Sequence, residues 1–437
     1  MRPLASPPTA ERFQFLASVR QNFAWSLLGN LTYAASQWGI LVVLAKLGSV
    51  EMVGQYGFAI AVTGPVFLLA NMSLGVVLAT DVRGENDFAN YSGARLVTTL
   101  TSVLAICGLA LFSRWAPAIT AVVLAVAASK ALESFSDILY GLFQQREAMD
   151  RIGRSMLFRG LLSLCAALVA VRFATSALAA SLAVAAAWAM VFLQFDIPNG
   201  AALLGSRHAL VPRLQAGSIL RMLRAALPLG IVAMLISLTA NIPRYFLEHG
   251  RGTKDLGIFV GLAYISTAAS LVVGSLGTAV TVRLSTLHSH GELSSFKKLV
   301  GRLLLCGAGL GVAEIAVAVG AGRPVLRLLY TPEYAEHEAA FVVAMIAAGI
   351  THVASFFGYA TTAARRFVVQ VPLWLLIMGA AAVFSAFAIP AWGILGASWA
   401  LVVAAAVQLA SYAWVYARLV ARDPARERPR SIELGQG

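Results

Sequence analysis

The stretch Ile119–Phe143 reads ITAVVLAVAASKALESFSDILYGLF. Wound as an α-helix at about 1.5 Å per residue, a run of this length exceeds the ~30 Å of a bilayer's hydrocarbon core. Its apolar residues run on without alternating, which excludes the pattern of an outer-membrane barrel strand. Inside it Lys130, Glu133 and Asp137 are spaced i, i+3 and i+7, with Ser134 and Gly141 nearby. Residues three and four apart share a helix face, so the three ionisable side chains form one stripe. A charge at a helix centre costs about 2.5–3.5 kcal/mol on insertion scales. The stripe therefore faces a partner helix or an aqueous cavity, not lipid. Two readings follow. Lys130 and Glu133 form a structural knot with Asp137 solvated near the headgroups, or the three line a translocation path.

Working outward, the rest of the chain has the same character. Of 437 residues, 59% are hydrophobic and 12% charged, with mean hydropathy +0.78. Soluble domains carry about 25% charged residues, so the deficit alone defines a membrane protein. Twelve runs are long and apolar enough to span: Phe23–Ala45, Tyr56–Leu78, Leu96–Phe112, Ile119–Phe143, Met156–Val171, Leu178–Phe195, Leu227–Leu247, Leu256–Thr281, Leu299–Val319, Ala340–Thr361, Val368–Ala388 and Ile394–Tyr416. The fifth is short enough to need its basic flank. The first lacks a small-residue cleavage site and reads as a membrane helix, not a signal peptide. Cys107, Cys165 and Cys306 lie singly in apolar runs and make no metal or disulfide framework.

Charge placement orients the spans. With the N-terminus inside, the cytoplasmic side takes both tails and the segments Asp81–Arg95, Gln145–Arg159, Gly205–Arg224, Arg283–Arg302 and Arg365–Arg366, which hold 24 of the 33 Lys and Arg. Eight fall outside: Lys46, Arg114, Arg172, Arg244, Arg251, Lys254, Arg323 and Arg327. Such a bias follows the positive-inside rule and explains the net charge of +13 without nucleic acid. The expected architecture is all-α and integral to the membrane, about twelve transmembrane helices in two six-helix bundles with both termini cytoplasmic. Its parts are a cytoplasmic segment 1–21, an N-lobe 22–204, a linker 205–225, a C-lobe 226–418 and a disordered, basic tail 419–437 suited to inner-membrane lipids.

Further polar residues interrupt the apolar runs. The first span carries Asn30 and Gln37, the second Asn71, and the seventh Asn241 and Arg244. The sequence Asn241–Pro243 is expected to break or bend its helix, because proline removes a backbone donor. Arg244, Arg251 and Lys254 suggest a basic outer mouth suited to a phosphate-bearing or acidic sugar. Glu314 and His352 each stand alone in their spans, as satisfied interface residues. Chemistry is absent: no lysine precedes Ser or Thr, so there is no P-loop, and G-x-S-x-G does not occur. The histidines lack metal-ligand spacing, and no cofactor is implied. Ion or proton coupling is left open. The chain is expected not to be an enzyme.

Several stretches carry a resemblance. Asn22–Asp81, with Gly48 and Val53-Gly54-Gln55-Tyr56 leading into the second span, resembles the start of polysaccharide biosynthesis and export proteins. Asn241–Phe246 followed by Leu256–Tyr264 is similar to the opening of that family's second lobe. Leu328-Leu329-Tyr330 with Pro332-Glu333-Tyr334 is similar to its motif before the tenth helix. The family is the O-antigen-type, Wzx-like flippases of the multidrug/oligosaccharidyl-lipid/polysaccharide (MOP) exporter superfamily. The resemblance implies two lobes around an alternating-access cavity that moves a polyprenyl-diphosphate-linked oligosaccharide across the bacterial inner membrane, in lipopolysaccharide or exopolysaccharide biosynthesis. It also implies working alongside polymerase and export components. By position, Lys130, Arg146 and Arg244 are the cations it would place in the cavity. The acidic Glu133 and Asp137 keep a drug antiporter of the same superfamily as the alternative, with a membrane polymerase or assembly protein third.

Overall fold

The computed structural model describes residues 9–81, 86–366 and 369–421. The helices are α1 Thr9–Leu47, α2 Val50–Asn71, α3 Leu74–Thr80, α4 Phe88–Phe112, α5 Pro117–Gln145, α6 Met149–Ala174, α7 Ala177–Val191, α8 Ile197–Leu204, α9 Ala216–Arg251, α10 Thr253–Tyr264, α11 Thr267–Ser289, α12 Leu293–Leu329, α13 Pro332–Ala335, α14 Glu338–Ala363 and α15 Gln370–Ala421. Eleven helical segments among the described residues are long and apolar enough to cross a membrane. The last of these is two crossings, because Gly393 takes a non-helical φ of 56° and ψ of −127° inside it. The all-α architecture of about twelve spans is therefore as expected. Most of the tail 419–437 lies outside the described residues, as do residues 1–8 of the N-terminal segment.

By its contacts the chain divides at Ser237/Leu238, within α9. In the first unit α5 is the hub, packed on α2, α3, α4 and α7, while α1 lies along α6. In the second unit α14 is the hub, packed on α11, α12 and α15.

Several spans differ from the sequence reading. The second is broken: α2 ends at Asn71, and Met72 and Ser73 both take left-handed φ (45° and 53°) before α3 resumes. The eighth is interrupted at Ile265–Ser266 and runs on to Ser289. The seventh is not broken at Asn241–Pro243, since α9 is continuous from Ala216 to Arg251. Proline costs one hydrogen bond there, and the flanking turns carry the helix through. Four expected cytoplasmic segments run into helices, since α4 begins at Phe88, α6 at Met149 and α9 at Ala216, and only three residues separate α11 from α12. Arg95 lies inside α4 and Arg159 inside α6, fully buried at 0% and 2% exposure. The fifth span does draw in its basic flank, starting at Met149.

Close helix contact is set by small residues. A Cβ on Gly141 of α5 would sit 2.5 Å from the carbonyl oxygen of Gly75 in α3. In the second unit a Cβ on Gly311 of α12 would meet the Cα of Gly349 in α14 at 2.5 Å. Backbones can approach this far only without side chains between them, the usual solution where lipid gives no hydrophobic drive to pack.

Candidate functional site

The stripe on α5 points into the first unit, where three connected clusters form around it. In the first, Lys130 Nζ donates to Glu133 Oε2 at 2.6 Å, and the Tyr33 hydroxyl of α1 donates to Glu133 Oε1 at 3.2 Å. Lys130 also lies 6.0 Å from the ring centre of Trp188 in α7, which faces Tyr33 at 6.1 Å.

The second cluster centres on Asp196, which is fully buried. It accepts hydrogen bonds from Ser136 at 2.6 Å, Ser155 at 2.5 Å and Arg159 at 3.1 Å. Arg159 also donates to Ser136, and its guanidinium lies 5.2 Å from the Trp188 ring centre and 5.7 Å from that of Tyr140. Tyr140 and Ser155 share a further hydrogen bond of 2.7 Å. A single π-helical turn, Phe192–Asp196, places the carboxylate at the junction of α7 and α8. Such turns are rare and often found at functional positions. A buried ion pair is tolerated only when its remaining valences are met, and here two serines meet those of the carboxylate.

In the third cluster Arg95 of α4 pairs with Asp137 at 2.5 Å and with Asn71 Oδ1 at 2.5 Å. Asn71 is the last residue of α2 before the break, so the arginine ties the interrupted helix to α5. The Asp137 side chain remains 45% exposed while Arg95 is sealed. Lys130 therefore pairs with Glu133, as the first of the two arrangements expected, but Asp137 is held by a buried arginine and not by solvent alone.

The remaining candidates are scattered. Asn30 is exposed and donates to its own helix at Ser26 O, 2.8 Å. Gln37 has a buried Nε2 with no hydrogen-bond partner among the described residues, one turn from Tyr33. Arg146 is exposed at the end of α5 and joins none of the clusters. In the second unit Asn241 is buried, and the buried Nε of Arg244 has no hydrogen-bond partner among the described residues. The expected basic mouth is partly neutralised there. Lys254 pairs with Glu333 at 2.5 Å, and Arg251 donates to Pro390 O at 2.6 Å. Glu314 and His352, solitary in sequence, meet across α12 and α14 at 2.9 Å beside the Gly311–Gly349 contact. Among the described residues no group of three or more His, Cys, Asp and Glu is placed to hold a metal.

Arg95, Arg159, Asp196 and Trp188 were not legible as site residues. A signal existed for Arg159: Ser155, Arg159 and Ser163 recur at i, i+4 and i+8 in an otherwise apolar run. That spacing places the charge on a polar face of a membrane helix, not in a loop.

The all-α, multi-spanning architecture with buried ion pairs along its helices is that of a polytopic membrane protein. Solved structures carry the same fold. An inward-facing multidrug resistance MATE family transporter of the MOP superfamily matches with a TM-score of 0.69 at 14% identity, over 91% of this chain and 98% of that one. A MOP superfamily transporter from Pyrococcus furiosus, described as having a binding pocket of reversed polarity, matches with a TM-score of 0.61 at 15% identity, over 93% and 96%. The family model "Polysaccharide biosynthesis protein" matches residues 19–285, and the chain belongs to that family. The capsular polysaccharide biosynthesis protein CapF of Staphylococcus aureus is 25% identical over 409 residues, covering 91% of this chain and 99% of CapF.

Proposed function

We propose that this protein translocates a polyprenyl-diphosphate-linked oligosaccharide across the inner membrane, as two lobes, 22–204 and 226–418, working by alternating access. One observation carries the reading beyond family membership. Each carboxylate of the site is matched by a cation, Glu133 by Lys130, Asp137 by Arg95 and Asp196 by Arg159. The site thus keeps hydrogen-bonding groups without spare negative charge. That suits a polar, anionic glycan head better than a cationic drug, which would compete with the arginines for the carboxylates. Asn30, Gln37, Asn71, Lys130, Glu133, Asp137, Arg146, Asn241 and Arg244 are proposed as cavity residues. Within that set, Lys130, Arg146 and Arg244 are the cations.

Cation-coupled drug antiport is the second reading, favoured by the multidrug transporters among the solved structures of this fold. The two are separated in sealed liposomes carrying the purified protein. A fluorescent polyprenyl-diphosphate oligosaccharide should gain protection from an external quencher with time, and Lys130→Ala and Arg244→Ala should slow that exchange. Exchange that stays absent with ion gradients imposed, beside uptake of a cationic dye, would transfer the assignment to drug antiport.

A further inference from the structure

The second unit holds a cleft of about 370 Å³ between α11 and the end of α14, separate from the residues considered so far. By the charge bias both helix ends are cytoplasmic. Its wall carries Thr281, Ser285, Thr286 and Ser289 from α11 and Thr362 from α14, and it ends at Arg365. Thr281, Ser285 and Ser289 recur at i, i+4 and i+8, so they share one helix face.

The direction of the hydrogen bonds defines what the cleft offers. Thr281 donates to Gly277 O at 2.6 Å, Thr286 to Val282 O at 3.0 Å and Ser289 to Thr286 O at 2.9 Å. Their protons are committed to their own helix, which leaves oxygen lone pairs to accept bonds from a visitor. Thr362 differs, because its oxygen already accepts from Gln370 Nε2 at 3.1 Å. The cationic end comes from an exposed Arg365, and no lining residue is acidic.

Arg365 also occupies a costly backbone position. It has φ of +57°, in the left-handed region, where it caps α14. Its N–H donates to Thr362 O at 2.9 Å and that of Arg366 to Thr361 O at 3.2 Å, the pattern in which glycine usually follows a helix end. That turn sets Arg365 at the end of the cleft.

Acceptor oxygens beside a guanidinium match a molecule that offers hydroxyl donors and a phosphate. We propose that this cleft binds the sugar-phosphate head of the lipid-linked cargo on its cytoplasmic side. The proposal rests on the translocation reading and adds a subsite to it. An anionic phospholipid headgroup shares the chemistry, so the test includes it.

Equilibrium binding to the full chain in detergent should be measured with three probes: farnesyl-diphosphate-linked disaccharide, farnesyl diphosphate alone, and phosphatidylglycerol. Arg365→Gly removes the guanidinium while favouring the backbone conformation, so folding is retained and can be checked by monodisperse elution. It should weaken the disaccharide probe about tenfold or more, as expected for loss of a charge-assisted bond, with Arg365→Lys in between. Thr281→Val with Ser285→Ala should weaken the disaccharide probe while sparing farnesyl diphosphate. Parent-like binding by Arg365→Gly overturns the cleft and leaves translocation standing, as does a loss seen for phosphatidylglycerol alone. A parent that binds neither diphosphate probe overturns the translocation reading itself, and the cleft with it.

Discussion

At the scale of single residues, burial ranks the ion pairs. Arg159 and Asp196 are both sealed, so removing one strands the other. Arg159→Met should lower stability by about 3–5 kcal/mol, and Asp196→Leu added to it should recover much of the loss, because an uncompensated buried charge costs more than an apolar replacement of the pair. Lys130 and Glu133 keep side-chain exposures of 27% and 31% and stand three residues apart on one helix. Lys130→Met should therefore cost no more than about 1 kcal/mol. Thermal inactivation of the three variants in detergent would rank them. The inverse order would mean that solvent reaches Asp196. This ranking was hidden in the sequence, where Lys130 stood out by lying mid-span and Arg159 passed for an inside-rule arginine at a helix edge. The partner Asp196 lies 37 residues away, and local periodicity carries no information about which distant helices meet.

At the scale of helices, the spans were legible because a run of about 20 apolar residues has few alternatives in a bilayer. Their interruptions were less so. Pro243 was expected to break or bend its helix, and α9 runs through it unbroken, whereas Met72–Ser73, with no proline or glycine of its own, breaks its span. There the break is secured from outside, by Arg95 holding Asn71 and by Gly75 lying against Asp137 and Gly141. The turn at Gly393 shows what cannot be replaced. Its φ of 56° and ψ of −127° fall where only glycine rests comfortably. Gly393→Ala should cost about 1–3 kcal/mol, and Gly141→Val a similar amount by forcing α3 from α5. Both would read as shortened half-life of the folded protein in detergent, with an unchanged value pointing to a turn that can relax.

At the scale of the whole molecule, the fold was the most legible feature and the site the least. Twelve apolar runs and their flanking charges are each local properties, while Tyr33–Glu133, Arg95–Asp137 and Arg159–Asp196 exist only once the helices are packed. The orientation deduced from those charges has its own test. In a cysteine-free background, an impermeant maleimide added to intact cells, with the outer membrane opened, should label Lys46→Cys and not Arg146→Cys. Labelling of Arg146→Cys alone would invert the topology and move the α11–α14 cleft to the opposite face.

The π turn at Phe192–Asp196 has a consequence for reading the family's history. A turn of this kind is the trace of one residue inserted into an α-helix, and each residue advances the helix by about 100°. A relative lacking that residue would aim its equivalent of Asp196 away from Arg159. An alignment gap in this segment should then coincide with loss of the arginine.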